Sequence, residues 1–300
     1  MRMAYLIFAH DGLAQLDLLL DRLVPEGSPD VAIIHADRRS ALWRQLSARW
    51  PSDCERIRLV RDPVAVRWGH WSQVAAIARL VRAALACGCD YAHLLSGADW
   101  PVASRATIAA DLEAGAPGQC YIEAVAHLQE ERMATFRLDS RWLRTDPDHA
   151  RLAHAACWEL RRLSRWGDTA RTRLGLMRSR PWGPWHKGST WWSLPTSALD
   201  VLACDLDGLL RSGRLVGTLC CDEHVIPTIV AARFADQIAS NRRHIRFPEG
   251  IASPRVLTAQ DWPEIAASGA WFMRKVSLEE DPFFLALPNR DDGVIALTGV

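Results

Sequence analysis

The sequence predicts an α/β protein with a mostly parallel sheet and helices on both faces of that sheet. Within the first 125 residues, short apolar runs typical of buried strands alternate with stretches whose apolar residues recur at helical spacing. This strand–helix order indicates parallel strands joined by crossover helices. At 300 residues the chain is long enough for a large core, and we expect one domain over 1–300 with halves at about 1–125 and 126–300.

The predicted elements of the first half are strands at 4–9, 31–34, 57–60 and 91–95, with helices at 13–23, 40–50 and 72–86. Pro25 and Gly27 end the first helix. Ligands of such sheets bind beyond the carboxyl ends of the strands. The polar residues at those ends are His10, Asp11, His35, Asp37 and Asp99.

The second half is less regular. We expect a strand at 121–125, a long arginine-rich functional loop at 126–147, a helix at 150–166, a loop at 177–188, a strand at 191–194 and a helix at 196–210. A short strand is expected at Val256 and Leu257, directly after Arg255.

Composition excludes several classes of protein. The formal net charge of +1 gives no broad basic surface for nucleic acid. Every apolar run is shorter than the ~20 residues of a membrane span. The apolar start of the chain is interpreted as a first buried strand, which predicts a cytoplasmic protein with no transmembrane segment and leaves a peripheral membrane contact open. The eight cysteines lack the usual zinc-knuckle spacing, and we expect reduced core thiols.

Eight short motifs follow one another between about residues 4 and 285. They lie at 4–7, 34–39, 68–74, 93–101, 188–194, 222–223, 253–255 and 274–275. The ordered set resembles the core-2/I-branching family, which contains β-1,6-N-acetylglucosaminyltransferases and peptide O-xylosyltransferases. The poorest match falls at 126–187, where acceptor contacts would lie.

The resemblance implies a single Rossmann-like nucleotide-sugar transferase fold of the GT-A type, with a nucleotide-binding first half and an acceptor-binding, catalytic second half. It implies inverting transfer from a UDP-sugar, with N-acetylglucosamine as the first donor expectation and xylose as the second. The implied acceptor is a glycan or glycoconjugate, such as a cell-surface polysaccharide precursor. No metal or other cofactor is expected.

Glu223 is the candidate general base. An acceptor hydroxyl must lose its proton as it attacks the anomeric carbon, and a carboxylate suits an inverting displacement that needs no covalent intermediate. Residue type alone also allows a structural interpretation, in which Asp222 caps a helix and Glu223 favours its positive end. The resemblance favours Glu223 as the base.

Arg255 and Lys275 are candidate partners of the leaving diphosphate. Negative charge grows on that group as the sugar departs, which requires cations or a metal ion. The alternative interpretation is two solvated surface cations.

The sequence also predicts that the protein has no metal site. Metal-dependent transferases place two carboxylates after a strand, because hard cations take several oxygen ligands, whereas here Asp99 stands alone. Asp205 and Asp207 fall within a helical pattern, where residues two apart do not face each other. Asp99 is expected to orient the donor sugar, or else to serve only as a turn residue.

The remaining candidates divide between donor and acceptor. His10, Asp37 and Trp68 are expected near the donor, although Asp37 is equally well explained as a helix N-cap and Trp68 as a helix staple. Four further residues are expected to bind the acceptor, namely Arg132, Trp191, Trp192 and Phe247. Aromatic faces suit sugar rings, but core packing is expected for at least half of the 14 tryptophans. Two rival functions stay open, a non-catalytic sugar-nucleotide or glycan-binding protein and a metal-dependent transferase.

Overall fold

The computed structural model describes residues 1–134, 184–249 and 253–287 except Asp53, together with scattered positions between 156 and 176. Most of the predicted helix at 150–166 and most of the predicted loop at 126–147 therefore lie outside the described residues. Asp146 and Asp148, another pair of carboxylates two residues apart that the sequence predicts to form a turn and a helix cap, lie there too.

The first half folds as the periodicity predicts. Its elements are β1 (Met3–Ala9), α1 (Leu13–Leu23), β2 (Val31–Ala36), α2 (Ala41–Arg49), β3 (Ile57–Leu59), α3 (Ser72–Cys87) and β4 (Tyr91–Ser96). Ser40 begins α2 by accepting a hydrogen bond from the backbone N–H of Trp43, as an N-cap should. Gly88 ends α3 in the left-handed conformation, with φ of 67°.

The elements from residue 99 onwards are mostly short, apart from three helices of 10, 16 and 13 residues. They are β5 (Asp99–Pro101), α4 (Arg105–Ala114), β6 (Cys120–Tyr121), β7 (Val125–Ala126), α5 (Glu131–Ala134), β8 (His186–Lys187), β9 (Ser193–Pro195), α6 (Thr196–Arg211), α7 (Asp222–Phe234), β10 (Ile238–Ala239), β11 (Arg243–Ile245), α8 (Trp262–Ala267), β12 (Phe272–Arg274) and α9 (Phe283–Ala286). Single 3₁₀ turns occupy Ala235–Gln237 and Ala259–Asp261.

Several expectations for the second half were wrong in detail. The described parts of the predicted loops at 126–147 and 177–188 include two short elements, α5 and β8. The predicted strand at 121–125 is two short strands, β6 and β7, which belong to different sheets. The strand at 191–194 begins two residues later, at Ser193. Val256 and Leu257 form no strand, because Leu257 makes a single backbone hydrogen bond to the carbonyl of Lys275 instead of joining a ladder.

The main sheet has seven strands in the order β10-β6-β9-β4-β1-β2-β3. Strands β4, β1, β2 and β3 are mutually parallel, as predicted, whereas β9 runs antiparallel to both β4 and β6. A second sheet, in the order β11-β12-β5, lies beyond the carboxyl end of β4, because β5 follows β4 after a two-residue turn.

Helices cover both faces of the main sheet. Alternate residues of β1 point to opposite sides, with Tyr5 and Ile7 in one buried cluster and Ala4 and Leu6 in the other. Helices α1, α2 and α4 complete the first cluster, and α3, α6 and α7 complete the second. Within the described part of the chain, no helix combines the length and apolar character that crossing a bilayer requires.

None of the eight cysteines, all within the described residues, forms a disulfide. Six are buried, as expected for core thiols, but Cys54 and Cys204 are exposed.

Candidate functional site

The parallel strands bring the predicted polar residues to one edge of the sheet. In β1 and β2, Ala9 pairs with Ala36, so His10 and Asp37 leave their strands side by side. On the other side of β1, Phe8 pairs with Ser96, and the turn that leads to Asp99 follows directly. The sequence-based placement of these three residues at a common edge is therefore confirmed.

Glu223 lies in the first turn of α7 and contacts two cations. The Nη1 atom of Arg132 donates to the Oε2 atom of Glu223 at 2.8 Å, and the Nζ atom of Lys187 lies 3.5 Å from the same oxygen. The Glu223 side chain is 31% exposed, so it remains accessible to a ligand. The sequence placed Arg132 in the acceptor loop without linking it to Glu223, and it gave no role to Lys187.

Gly188 holds this arrangement together. Its backbone N–H donates to the carbonyl of Glu223 at 2.8 Å, which fastens β8 to the start of α7. A Cβ atom at position 188 would lie 1.8 Å from the carbonyl oxygen of Glu123, so only glycine permits this approach. The Gly188 hydrogen bond thereby positions the neighbouring Lys187 beside Glu223.

Asp222 is buried beside the candidate base. Its side chain accepts a hydrogen bond from the Oγ1 atom of Thr190 at 2.8 Å and is not the cap of α7, because Cys221 occupies that position. Burial raises the pKa of Asp222 above its usual range, and the charge of Glu223 acts in the same direction. The interpretation of Asp222 as a capping residue was therefore wrong.

Asp99 is buried and already has several hydrogen-bond donors. Its carboxylate accepts from the backbone N–H and hydroxyl of Ser96 at 3.0 and 2.7 Å and from Arg274 at 2.7 Å. The Arg274 guanidinium lies 4.4 Å from the ring centre of Trp191, close enough for a cation–π contact. Asp99 thus fixes Arg274 against Trp191, a role that sequence reasoning missed because it considered only the neighbouring Lys275.

Asp37 organises the loop after β2. It accepts hydrogen bonds from the backbone N–H groups of Arg39 and Val66 at 2.7 and 2.9 Å, as well as from the Arg39 side chain. Burial acts to raise the pKa of Asp37, but these hydrogen bonds outweigh burial and lower it. Asp37 is not a helix N-cap, since Ser40 has that role.

Arg255 and Lys275 lie on adjacent segments joined by the hydrogen bond from Leu257 to the Lys275 carbonyl, 2.8 Å long. Both guanidinium Nη atoms of Arg255 bind the carboxylate of Asp261, with Nη1 at 3.0 Å from Oδ2. Arg255 is therefore fixed in place and is not a freely solvated cation. Asp261 was not identified from the sequence, because it lies six residues away in an unremarkable polar stretch.

The other candidates differ widely in exposure. His10 is 59% exposed and its Nε2 lies 3.3 Å from Asp11, while Trp68 is half-buried. Phe247 is 59% exposed in the loop after β11 and is accessible to a large ligand. Trp192 is completely enclosed in the core, so its assignment to acceptor binding was wrong, whereas the half-buried Trp191 stays a candidate.

The described residues contain no group of three or more His, Cys, Asp or Glu side chains arranged to hold a metal ion. Asp205 and Asp207 lie in α6 as predicted, and both pair with arginines: Asp205 with Arg233 at 3.5 Å, and Asp207 with Arg211 at 3.9 Å. A cavity of about 580 Å³ lies between β3, α3 and α6 and includes Trp71 in its lining, but it does not contain Glu223.

Comparison with known proteins gives one family match. The sequence model of the Core-2/I-Branching enzyme family matches residues 3–268. No curated protein matches the chain significantly.

Among solved structures, apo mouse xyloside xylosyltransferase 1 has a TM-score of 0.36 and 10% identity, with 82% of this chain and 88% of that chain covered. Mannose-1-phosphate geranyltransferase from Thermus thermophilus has a TM-score of 0.35 and 14% identity, with coverages of 79% and 73%.

Proposed function

The chain belongs to the Core-2/I-Branching enzyme family, and we propose that it is a glycosyltransferase of the GT-A type that transfers a sugar from a UDP-sugar to a glycan hydroxyl with inversion. The observation that carries this proposal is the accessible Glu223 carboxylate, fixed at the start of α7 by Gly188 and contacted by Arg132. UDP-N-acetylglucosamine is the donor proposed first, and UDP-xylose is the second candidate.

The proposed reaction is a single displacement. The acceptor hydroxyl oxygen forms a bond to the anomeric carbon while the bond from that carbon to the β-phosphate oxygen breaks. The bonding electron pair leaves with UDP, and the hydroxyl proton passes to Glu223. A carboxylate in this position functions as a general base because it accepts the proton while the new bond forms.

Arg255 and Lys275 are proposed to bind the departing diphosphate. Fixed cations stabilise developing charge well because they need no reorganisation during the reaction. The bidentate Asp261 contact holds Arg255 in one geometry, and the Leu257 hydrogen bond holds the Lys275 segment beside it.

We expect Arg255→Ala and Lys275→Ala each to weaken UDP binding and slow transfer, because each variant loses one cation facing the diphosphate. Calorimetric titration with UDP is the measurement. Asp261→Asn is the matched control, since it releases Arg255 without removing its charge and should weaken UDP binding less than Arg255→Ala. Wild-type UDP affinity in both alanine variants would refute the phosphate assignment.

We expect transfer to continue in excess EDTA. Asp99 is the one carboxylate at the end of β4, and Ser96 and Arg274 already donate to it, which makes it a poor ligand for a divalent ion. Transfer is assayed with EDTA and then with added Mn²⁺ or Mg²⁺. Activity abolished by EDTA and restored by either ion would favour a metal-dependent transferase.

Release of UDP in the presence of an acceptor tests the function itself. A transferase releases UDP from the correct UDP-sugar in proportion to the glycosylated acceptor. A non-catalytic binding protein of the same fold would bind the UDP-sugar, detectable by calorimetry, and release no UDP with any acceptor.

A further inference from the structure

Two cations converge on one oxygen of the candidate base. Arg132 donates to the Oε2 atom of Glu223 at 2.8 Å, and the Lys187 ammonium lies 3.5 Å from it. The side chains of Arg132 and Lys187 are 24% and 23% exposed, so neither is a fully solvated surface cation. Their charges matter more there than they would in bulk water.

Proton transfer to Glu223 changes the charge balance around Arg132 and Lys187. A carboxylate that accepts a proton becomes neutral, and Arg132 and Lys187 then lose the anion that they share. Leaving half-buried charges without a partner is costly, so the reaction needs another anion beside them.

The backbone around each of the two cations is anchored, so neither residue can move away from Glu223 by a shift of its backbone. The carbonyl of Arg132 accepts a hydrogen bond from the backbone N–H of Leu219 at 3.2 Å, and the adjacent Met133 is buried. On both sides of Lys187 the backbone is tied to α7, through His186 to the Thr228 hydroxyl at 2.9 Å and through Gly188 to Glu223. Both cations are held from elements anchored next to the base.

Resting on the role of Glu223 proposed above, we propose that the acceptor sugar carries a carboxylate next to the hydroxyl that is glycosylated, and that Arg132 and Lys187 bind this carboxylate. The acceptor class is then a glycan that ends in a uronic acid. On binding, its carboxylate takes over the two cations and frees Oε2 of Glu223 to receive the proton.

The chemistry of the two cations fits a carboxylate. A guanidinium presents paired N–H donors that match the two oxygens of a carboxylate, and an ammonium adds a point charge. The neighbouring Asp222 does not compete for them, because its side chain is buried and bound by Thr190.

The test compares three uronic acids with their neutral counterparts. Methyl glycosides of glucuronate, galacturonate and mannuronate are titrated into the full chain in the presence of UDP, alongside methyl glucoside, galactoside and mannoside, with binding followed by NMR. We expect at least one uronate to bind about tenfold more tightly than its hexose partner, as charge-assisted hydrogen bonds predict.

Two variants identify the residues responsible. Arg132→Gln and Lys187→Gln should each reduce the affinity for that uronate about tenfold and reduce hexoside affinity by clearly less, so that the preference for the uronate is lost. Arg49→Gln is the matched control, because Arg49 ends α2 and pairs with Asp17 of α1, neither of which contributes to the candidate site. The Arg49→Gln variant should keep the full preference for the uronate over its hexoside. Thermal melting of each variant checks that it is folded.

The outcomes separate this proposal from the proposed function. If no uronate binds more tightly than its hexoside, or if both variants keep the preference, the acceptor proposal is wrong. Efficient UDP release with neutral acceptors would refute it while supporting the transferase. A preference that depends on Arg132 and Lys187, without UDP release from any donor, would support the anionic site and refute the transferase.

Discussion

Replacing Glu223 with Gln is expected to lower turnover by ~10²–10⁴-fold, the usual range for a lost general acid or base. Gln keeps the size of the side chain and can still accept a hydrogen bond from Arg132, but it cannot take the proton of the acceptor hydroxyl. UDP affinity should change little, because Glu223 contacts the cations of the acceptor side. Steady-state turnover and calorimetric UDP binding give the two readouts.

Glu264→Gln is the control for this prediction. Glu264 also lies in the first turn of a helix, α8, where it pairs with Arg246. If Glu223 acted only on the helix dipole, both variants would lose a similar, small amount of stability, ~0.3–1 kcal/mol, and keep their activity. Wild-type turnover in Glu223→Gln would remove this residue from the mechanism.

Replacing Asp99 with Ala is expected to lower the free energy of unfolding by ~3–5 kcal/mol, the cost of removing one partner of a buried ion pair. The carboxylate is 1% exposed, and the Arg274 side chain that pairs with it is 18% exposed. Without Asp99, the Arg274 guanidinium and the Ser96 donors lose their common acceptor. Denaturant unfolding measures the loss.

Asp17→Ala is the matched control, since Asp17 forms a more exposed ion pair with Arg49 and its loss should cost ~0–1 kcal/mol. Asp99→Asn, which keeps one oxygen acceptor, should lose less stability than Asp99→Ala. An Asp99→Ala variant with wild-type stability and impaired donor binding would instead assign Asp99 to direct contact with the donor sugar.

The first half of the fold could be predicted because its elements are long and local. Strands such as Val31–Ala36 are continuous apolar runs, and α3 repeats its apolar residues over 16 positions. The edge where His10 and Asp37 emerge follows from the parallel order alone.

The second sheet could not be predicted in the same way. Its three strands have three residues each, and they pair across large sequence separations, as when Arg274 of β12 meets Asp99 of β5. A strand of three residues carries too little alternation to be recognised. The sequence predicts β9 as a strand, but its antiparallel direction is set by the connections before and after it, and the residues of the strand itself do not indicate that direction.

The candidate site, like the fold, could be predicted only where the signal is local in the sequence. Single residues such as Glu223 and Arg255 were chosen as candidates through motifs, whereas their partners are distant in sequence or chemically ordinary. Arg132 lies 91 residues before Glu223, and nothing local links the two. Trp192 was misassigned because an aromatic side chain suits a sugar face and a protein core equally well.

The anomeric configuration of the product distinguishes a single displacement assisted by Glu223 from a mechanism that retains the configuration of the donor. In UDP-N-acetylglucosamine the sugar is α-linked, so a single displacement assisted by Glu223 must give a β-linked product. NMR spectroscopy of the purified product, made with whichever UDP-sugar supports transfer, reads the configuration at the new bond. We expect inversion; a product that retains the configuration of the donor would contradict the proposed single displacement.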